Sequence, residues 1–331
     1  VKRRDFCTYF DHRYFARGLA LHESLLAHCP GARLWVLCLS DECFSALTRL
    51  ALPGLVPVRL ADFEAGNAAL AAAKANRSTI EYYFTCTPSL LDWVLKQDAA
   101  IETITYLDSD LFFFSDPEPI FSRFDGYSSL IIEHRFAPPV KALEVYGRYN
   151  VGWVSFRRDA DGLACLAWWR DRCLEWCYDV LEGDRFADQK YLERFSELFR
   201  GVLILDHPGA NLAPWNLASH RLEESASGTL VDGEPLLFFH FHRFRQLLPW
   251  VWQTHHRDNG AAYQGFLARR LYRPYIRALR RAAANGLAAG IDTVSQLQRG
   301  HDVRGPLAAR LRALAKIFLY RDFVIQIRAA R

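Results

Sequence analysis

The chain of 331 residues contains no run of about 18 apolar residues, so the sequence predicts no transmembrane helix. Its basic start, Val1-Lys2-Arg3-Arg4, is followed by no signal-type apolar segment, which argues against secretion. Eight cysteines occur, but none form a Cys-x-x-Cys pair. Cys173 and Cys177 share one helical face, which is half of a zinc site with no second pair of ligands behind it. Most of the cysteines lie among aliphatic and aromatic residues, which predicts buried, reduced thiols in a cytoplasmic protein. Methionine is missing altogether, and we have no physical account of that. There is no Gly-x-x-x-x-Gly-Lys-Ser/Thr phosphate loop, no Gly-x-Gly-x-x-Gly dinucleotide turn and no Gly-x-Ser-x-Gly elbow. Kinase-like, dehydrogenase and serine-hydrolase chemistries therefore lose their usual signatures.

What is present is an uneven charge. The net charge is +4, yet residues 261–331 hold 14 Arg and Lys against 3 Asp and Glu, a formal +11, which leaves −7 on residues 1–260. In the basic stretch Tyr263, Leu267, Leu271, Tyr275 and Leu279 recur every four residues, with Arg269, Arg270, Arg273, Arg277, Arg280 and Arg281 on or near the other face. Leu307, Leu311, Leu314 and Phe318 repeat the theme with Arg310, Arg312 and Lys316. These periodicities predict basic amphipathic helices, bent near Pro274. Two readings stand side by side: attachment to an anionic membrane surface at its inner face, or packing against the acidic body. No reader motif for nucleic acid appears, so none is expected as a partner. The chain thus divides into a body over 1–258 and a basic helical extension over 259–331.

The body centres on Ile104-Thr105-Tyr106-Leu107-Asp108-Ser109-Asp110-Leu111-Phe112-Phe113-Phe114. An Asp-x-Asp pattern arises by chance roughly once or twice in a chain like this one. A second copy, Asp159-Ala160-Asp161-Gly162, follows Arg157-Arg158 and reads as a solvated turn or helix cap. The first copy is different because apolar and aromatic residues flank it on both sides, and two carboxylates in such a setting need a compensating cation. In an extended strand Asp108 and Asp110 project to the same face. Mn²⁺ or Mg²⁺ suits such a pair and accepts a substrate's phosphates as further ligands.

Around this stretch the pattern alternates. Residues 5–10, 34–39 and 56–60 read as strands, with helices after Tyr14 and over 41–50 between them. A long helix over 78–97 precedes the acidic strand. Strands at 130–133, 149–156, 202–205 and 236–239 follow, with an aromatic-rich helix over 162–182 and a helix start near Asp188-Gln189. This is an α/β fold with an open, mostly parallel sheet, in which ligands sit at the carboxyl ends of the strands. His240 and His242 follow a buried apolar strand, and an imidazole can complete the coordination of Mn²⁺. Arg243 and Arg245 can neutralise a diphosphate. Asn211, Trp215 and Asn216 combine amide groups with an apolar ring, a mix that suits a sugar or an ordered loop.

The ordered set Tyr106-Leu107-Asp108-Ser109-Asp110, Asn150-Val151-Gly152, Asp188-Gln189 and His240 resembles the GT-A-fold glycosyltransferases, and is most similar to glycosyltransferase family 8 and related bacterial nucleotide-sugar transferases. The resemblance spans roughly residues 5–250, and Arg77-Ser78-Thr79-Ile80-Glu81-Tyr82-Tyr83 looks like the family's donor-contacting helix. It implies a GT-A, Rossmann-like sheet flanked by helices, and it implies roles. Thr8, Tyr9 and Tyr14 would hold base and ribose, and Arg77 would reach the donor. Asp108 and Asp110, with His240, would bind the metal, with Ser109 beside the donor. Asn150, Asp188 and Gln189 would line the donor sugar as catalytic residues. The family commonly has a Gly and a Lys after its metal-binding His; here His242, Arg243 and Arg245 occupy that region, which leaves open which histidine is the ligand.

The expected activity is metal-dependent transfer of a sugar from a nucleotide diphosphate donor, UDP first among them, to a saccharide or lipid-linked glycan. The resemblance implies retention at the anomeric carbon, with Gln189 or Asp188 stabilising the cationic sugar. In an inverting reaction Asp188 is the first candidate for the base. Two alternatives are a sugar-nucleotide nucleotidyltransferase, which usually wants a Gly- and Lys/Arg-rich loop where Thr8-Tyr9-Phe10-Asp11-His12-Arg13 stands, and a non-catalytic glycan-binding protein on the same fold.

Overall fold

In the computed structural model, residues 2–226, 228–262, 265–292, 297 and 322–326 are described. The first half alternates as the apolar runs predict: β1 (Arg4–Phe10), α1 (Phe15–His28), β2 (Ala32–Cys38), α2 (Asp41–Leu50), β3 (Leu55–Arg59), the short α3 (Leu60–Glu64), α4 (Ala68–Asn76) and α5 (Thr79–Gln97). Next come β4 (Thr103–Leu107), β5 (Leu111–Phe113), α6 (Glu118–Phe124), β6 (Ser129–Glu133), β7 (Tyr149–Arg157) and α7 (Ala160–Glu175). The second half is broken into shorter pieces: α8 (Phe195–Leu198), β8 (Val202–Leu205), β9 (Leu222–Ser225), β10 (Gly228–Val231), β11 (Glu234–Pro235), β12 (Phe238–His240), β13 (Arg245–Leu248), β14 (Val251–Gln253), α9 (Gly265–Leu267), α10 (Arg273–Ala288) and β15 (Phe323–Ile325).

Seven strands form the central sheet in the order β3-β2-β1-β4-β7-β6-β8. All run parallel except β7, which is antiparallel to both of its neighbours. The carboxyl ends of β1, β4, β6 and β8 and the amino end of β7 therefore share one edge, the edge at which open α/β sheets bind ligands. Apolar side chains cover both faces. One face packs Phe6, Phe10, Leu107 and Trp153 against α1, α6 and α10; the other packs Cys7, Leu37, Tyr106 and Val154 against α5 and α7. All eight cysteines are buried and free.

Two helices differ from the sequence expectation. The aromatic helix predicted over 162–182 stops at Glu175, because Trp176 is extended and Arg77 donates to the terminal carbonyls of Cys173 and Leu174, both at 2.7 Å. Where the sequence predicts a bend near Pro274, the structure has a π-helical turn just before the proline. Residues Ala268–Tyr272 form this turn, in which the Arg273 N–H reaches back to the Ala268 carbonyl. The wider turn precedes a proline that has no N–H to give.

The described part of the basic extension packs into the body. Tyr275, Ile276, Leu279, Ala282 and Ala283 of α10 are buried against α1 in the same core as Phe112 and Phe241. Arg281 pairs with Glu23 on α1, and Arg269 and Arg270 pair with Glu224 at 2.9 and 2.8 Å. Arg280 donates to the Gln326 carbonyl at 2.8 Å. Of the two readings of this stretch, the contacts of the described residues favour packing. Tyr263 and the second repeat, Leu307, Leu311, Leu314 and Phe318 with Arg310, Arg312 and Lys316, lie outside the described residues. Among the described residues no helix is long and apolar enough to cross a membrane.

Candidate active site

Strand β4 ends at Leu107, and the acidic pair stands in the turn that follows, not in the strand. The Leu111 N–H closes this turn onto the Asp108 carbonyl at 3.2 Å. A turn, and not the two-residue pleat expected from the sequence, thus brings the two carboxylates together. Strand β5 then leaves the turn and pairs antiparallel with β12, with Leu111 opposite His240. The Phe241 N–H donates to the Asp110 carbonyl at 3.0 Å, and the His240 N–H to the Leu212 carbonyl at 2.8 Å. This small ladder carries His240 across 130 positions of chain to the acid pair. Its Nε2 lies 3.0 Å from Asp110 Oδ1 and 3.7 Å from Asp108 Oδ2.

Behind His240 lie Gly152 and Asn150. The Gly152 N–H donates to Asn150 Oδ1 at 3.0 Å, and Asn150 Nδ2 lies 3.1 Å from His134 Nε2. Since the amide nitrogen can only donate, His134 accepts at Nε2 and is neutral; burial drives its pKa down to about 3. A Cβ on residue 152 would stand 2.5 Å from Asn150 Oδ1 and 3.0 Å from His240 Nδ1, so only glycine fits there. The Trp215 ring packs against His240 at 5.0 Å and His242 at 5.5 Å, and its Nε1 donates to the His134 carbonyl at 2.9 Å.

The charges are strongly coupled. Burial raises the Asp108 pKa; His240 opposes this. For Asp110 burial is outweighed by His240, which faces it directly, and further by His242 and Arg17, so its pKa falls to about 2. Burial works against a charge on His240 too, but Asp110 and then Asp108 raise its pKa overall. His242 has an open edge, yet the protein around it and the neighbouring His240 charge lower it to about 4. Asp110, His240 and His242 offer ligand atoms all within 4.8 Å of one another, with Asp108 beside them. Carboxylate oxygens and imidazole nitrogens in this mix fit Mn²⁺, and the carboxylates alone fit Mg²⁺. Both candidate histidines are at the site, and His240 is the one facing the acids.

Other predicted residues separate into those at the rim and those spent inside. Tyr9 is half-buried, its hydroxyl 3.3 Å from Thr87 Oγ1 and its ring between Tyr83 and Tyr106; Tyr106 in turn donates to Asp108 Oδ1 at 3.0 Å. Tyr14 is 47 % exposed at the start of α1. Asp188 is buried and hydrogen-bonded to Thr87; burial first, then the Asp108 charge, lift its pKa to about 7. Ser109 and Gln189 are half-buried, and Gln189 Nε2 donates to the Tyr146 carbonyl at 3.2 Å. Arg243 is exposed, on a left-handed backbone with φ 59°.

Five of the predicted residues are turned into the fold. Thr8 alternates with Tyr9 and is 0 % exposed, inside the sheet. Arg77 is taken up by the end of α7 and by Thr85, because Ser78 caps α5 immediately beside it in a capping box with Glu81. Arg245 points into its own hairpin, Nε to Gln253 Oε1 at 2.9 Å. Asn211 is fully buried and donates to the Glu133 carbonyl at 3.2 Å, part of a loop in which Asn216 also binds the His134 carbonyl. Asn150 serves His134 and Gly152, not the rim. Sequence reasoning in turn missed His134, Thr87 and Arg17. The readable signals were His134 one residue past a strand end and Arg17 as a lone charge among Phe15, Ala16, Gly18 and Leu19.

No protein-family model matches the chain. It is 34 % identical over 248 residues to YfnF of Bacillus subtilis strain 168, covering 72 % of this chain and 81 % of that protein. It is 30 % identical over 244 residues to YfnD of the same strain, covering 72 % and 77 %. The chain belongs to the family of these two proteins. Both relatives are uncharacterized, so the family carries no activity over by itself. In three dimensions this family member is similar to the galactosyltransferase LgtC, solved with donor and acceptor sugar analogs, with TM-score 0.50 at 17 % identity, covering 86 % of this chain and 96 % of that one. The fold is the GT-A-like α/β fold of glycosyltransferases.

Proposed function

We propose that the chain is a metal-dependent glycosyltransferase that moves a sugar from a nucleoside diphosphate donor, with uridine the first base to test, to a hydroxyl of a saccharide or lipid-linked glycan. The observation that carries this reading is the convergence of Asp108, Asp110 and His240 at the ligand-binding edge of a GT-A-like sheet. LgtC, which shares the fold, was solved with donor and acceptor sugar analogs, and that adds support.

In the proposed reaction the bond from the anomeric carbon to the diphosphate oxygen breaks and a bond to the acceptor oxygen forms. The acceptor proton leaves on the departing diphosphate. Asp108, Asp110 and His240, with His242 in reach, would hold Mn²⁺ or Mg²⁺, which would supply Lewis-acid stabilisation of the charge on that leaving group. Gly152 leaves room for the His240 ring, Trp215 packs against it, and Tyr9 and Tyr14 offer ring surfaces to the base at the end of β1. Asp188, with a pKa of about 7, gives the donor sugar a hydrogen-bonding group that is only partly charged at neutral pH.

The test is binding and turnover of UDP-sugars with and without Mn²⁺. We expect metal-dependent UDP binding in the native chain and its loss in Asp108→Asn. Wild-type turnover in that variant, or no nucleotide binding under any metal condition, overturns the reading.

A further inference from the structure

Arg17 lies in the first turn of α1 and is only 8 % exposed. Three physical costs meet at this position. A buried guanidinium gives up its hydration. The first turn of a helix carries the positive end of the backbone dipole and disfavours a cation. Third, among the described residues Arg17 forms no ion pair; its contacts are the face of the Tyr14 ring at 4.7 Å and a hydrogen bond from Nη2 to the Phe244 carbonyl at 3.1 Å. The rest of the buried face of α1 is largely apolar, with Phe15, Ala16, Leu19 and Leu21. An arginine kept against all three costs points to an anion that arrives from outside the chain.

Its location says which anion. Phe244 closes the turn that carries His242 and Arg243 away from His240, and the Arg17 charge reaches Asp110. The guanidinium is thus bonded to the turn that follows the histidine pair, beside the exposed Tyr14 and within electrostatic range of Asp110. Arg245, the cation expected there from the sequence, is held by Gln253. We propose that Arg17 is a binding residue for the diphosphate of the nucleotide donor, placed on α1 to take the phosphate oxygens in the role that Arg245 leaves vacant. The planar fork of arginine matches two phosphate oxygens at once, and the helix end that disfavours the bare cation favours the anion it brings in. This inference rests on the donor being a nucleoside diphosphate.

The experiment titrates the full chain with Mn²⁺ alone, then with UDP, uridine and inorganic pyrophosphate in the presence of Mn²⁺. The variants are Arg17→Gln and Arg17→Lys. Loss of charge-assisted hydrogen bonds predicts that Arg17→Gln weakens UDP and pyrophosphate about 10- to 100-fold while uridine changes less than about twofold. Mn²⁺ alone should bind as well or better, because a like charge near Asp110 is gone; Arg17→Lys should recover part of the UDP affinity. A residue that only props the Phe244 turn would weaken Mn²⁺ and UDP together, and that result overturns the inference, as does unchanged UDP and pyrophosphate binding in Arg17→Gln. If the native chain binds pyrophosphate but not UDP, the nucleotide-donor reading fails while the Arg17 comparison on pyrophosphate still decides its own claim. If it binds neither, both fail.

Discussion

The same three-residue pattern occurs twice in this chain and does two unrelated jobs. Asp159 caps α7: Oδ1 accepts from the Gly162 N–H at 2.8 Å and Oδ2 from the Ser128 hydroxyl at 3.0 Å. Asp161 is exposed in the first turn of that helix, where a carboxylate suits the dipole. Each acid of that pair is satisfied by ordinary helix chemistry. Asp108 and Asp110 stand in a turn between two buried strands, facing one imidazole and each other. An Asp-x-Asp pattern therefore means little until its surroundings show whether the charge already has a partner.

The comparison can be broken or sharpened by substitution. The largest effect is expected at Gly152, behind the first pair. A methyl group there meets Asn150 and His240, so Gly152→Ala should lower transfer by about 100-fold through displacement of His240, with a stability loss of about 1–3 kcal/mol. Steady-state rates and chemical denaturation check both. Asp188 comes next. Its native pKa of about 7 lies above the ordinary 3.8, so the folded protein binds a proton that the unfolded chain releases. Asp188 alone therefore subtracts up to about 1.4 kcal/mol of stability per pH unit as pH rises from about 4 to 7. His134 and His242 contribute in the opposite sense, since their lowered pKa values favour the folded chain as pH rises over that range. Asp188→Asn should shift the slope of stability against pH upward there, and an unchanged slope in urea titrations at stepped pH would contradict it. At the second pair, Asp159→Ala should cost about 1 kcal/mol for the lost cap without altering metal-dependent nucleotide binding. The smallest effect belongs to Asp161→Asn, within about 0.5 kcal/mol on thermal denaturation and none on turnover.

How far this site could be read in advance depends on what each residue answers to. The apolar flanks of Asp108 and Asp110 are local, and they alone separated that pair from Asp159 and Asp161. The early strands and helices followed from continuous apolar runs and from Pro-Gly punctuation at Pro30 and Gly31. The antiparallel setting of β7, and the pairing of β5 with β12 that brings His240 to Asp110, are long-range events that periodicity does not encode. The setting of Arg77 is long-range in the same way: its partners, Cys173 and Leu174, lie almost a hundred positions away at a helix end. Thr8 and Asn150 sit at the expected elements but face inward, which a one-residue change of face decides. Arg17 carried no motif at all; only its burial with no ion pair among the described residues marks it.

The most direct test is calorimetric titration of UDP in the presence of Mn²⁺ into the native chain, Asp110→Asn and Asp161→Asn side by side. We expect the native chain and Asp161→Asn to bind alike, and Asp110→Asn to lose the metal-dependent part of the affinity. Equal binding by all three, or loss in Asp161→Asn with Asp110→Asn intact, would contradict the placement of the metal and diphosphate at Asp108, Asp110 and His240.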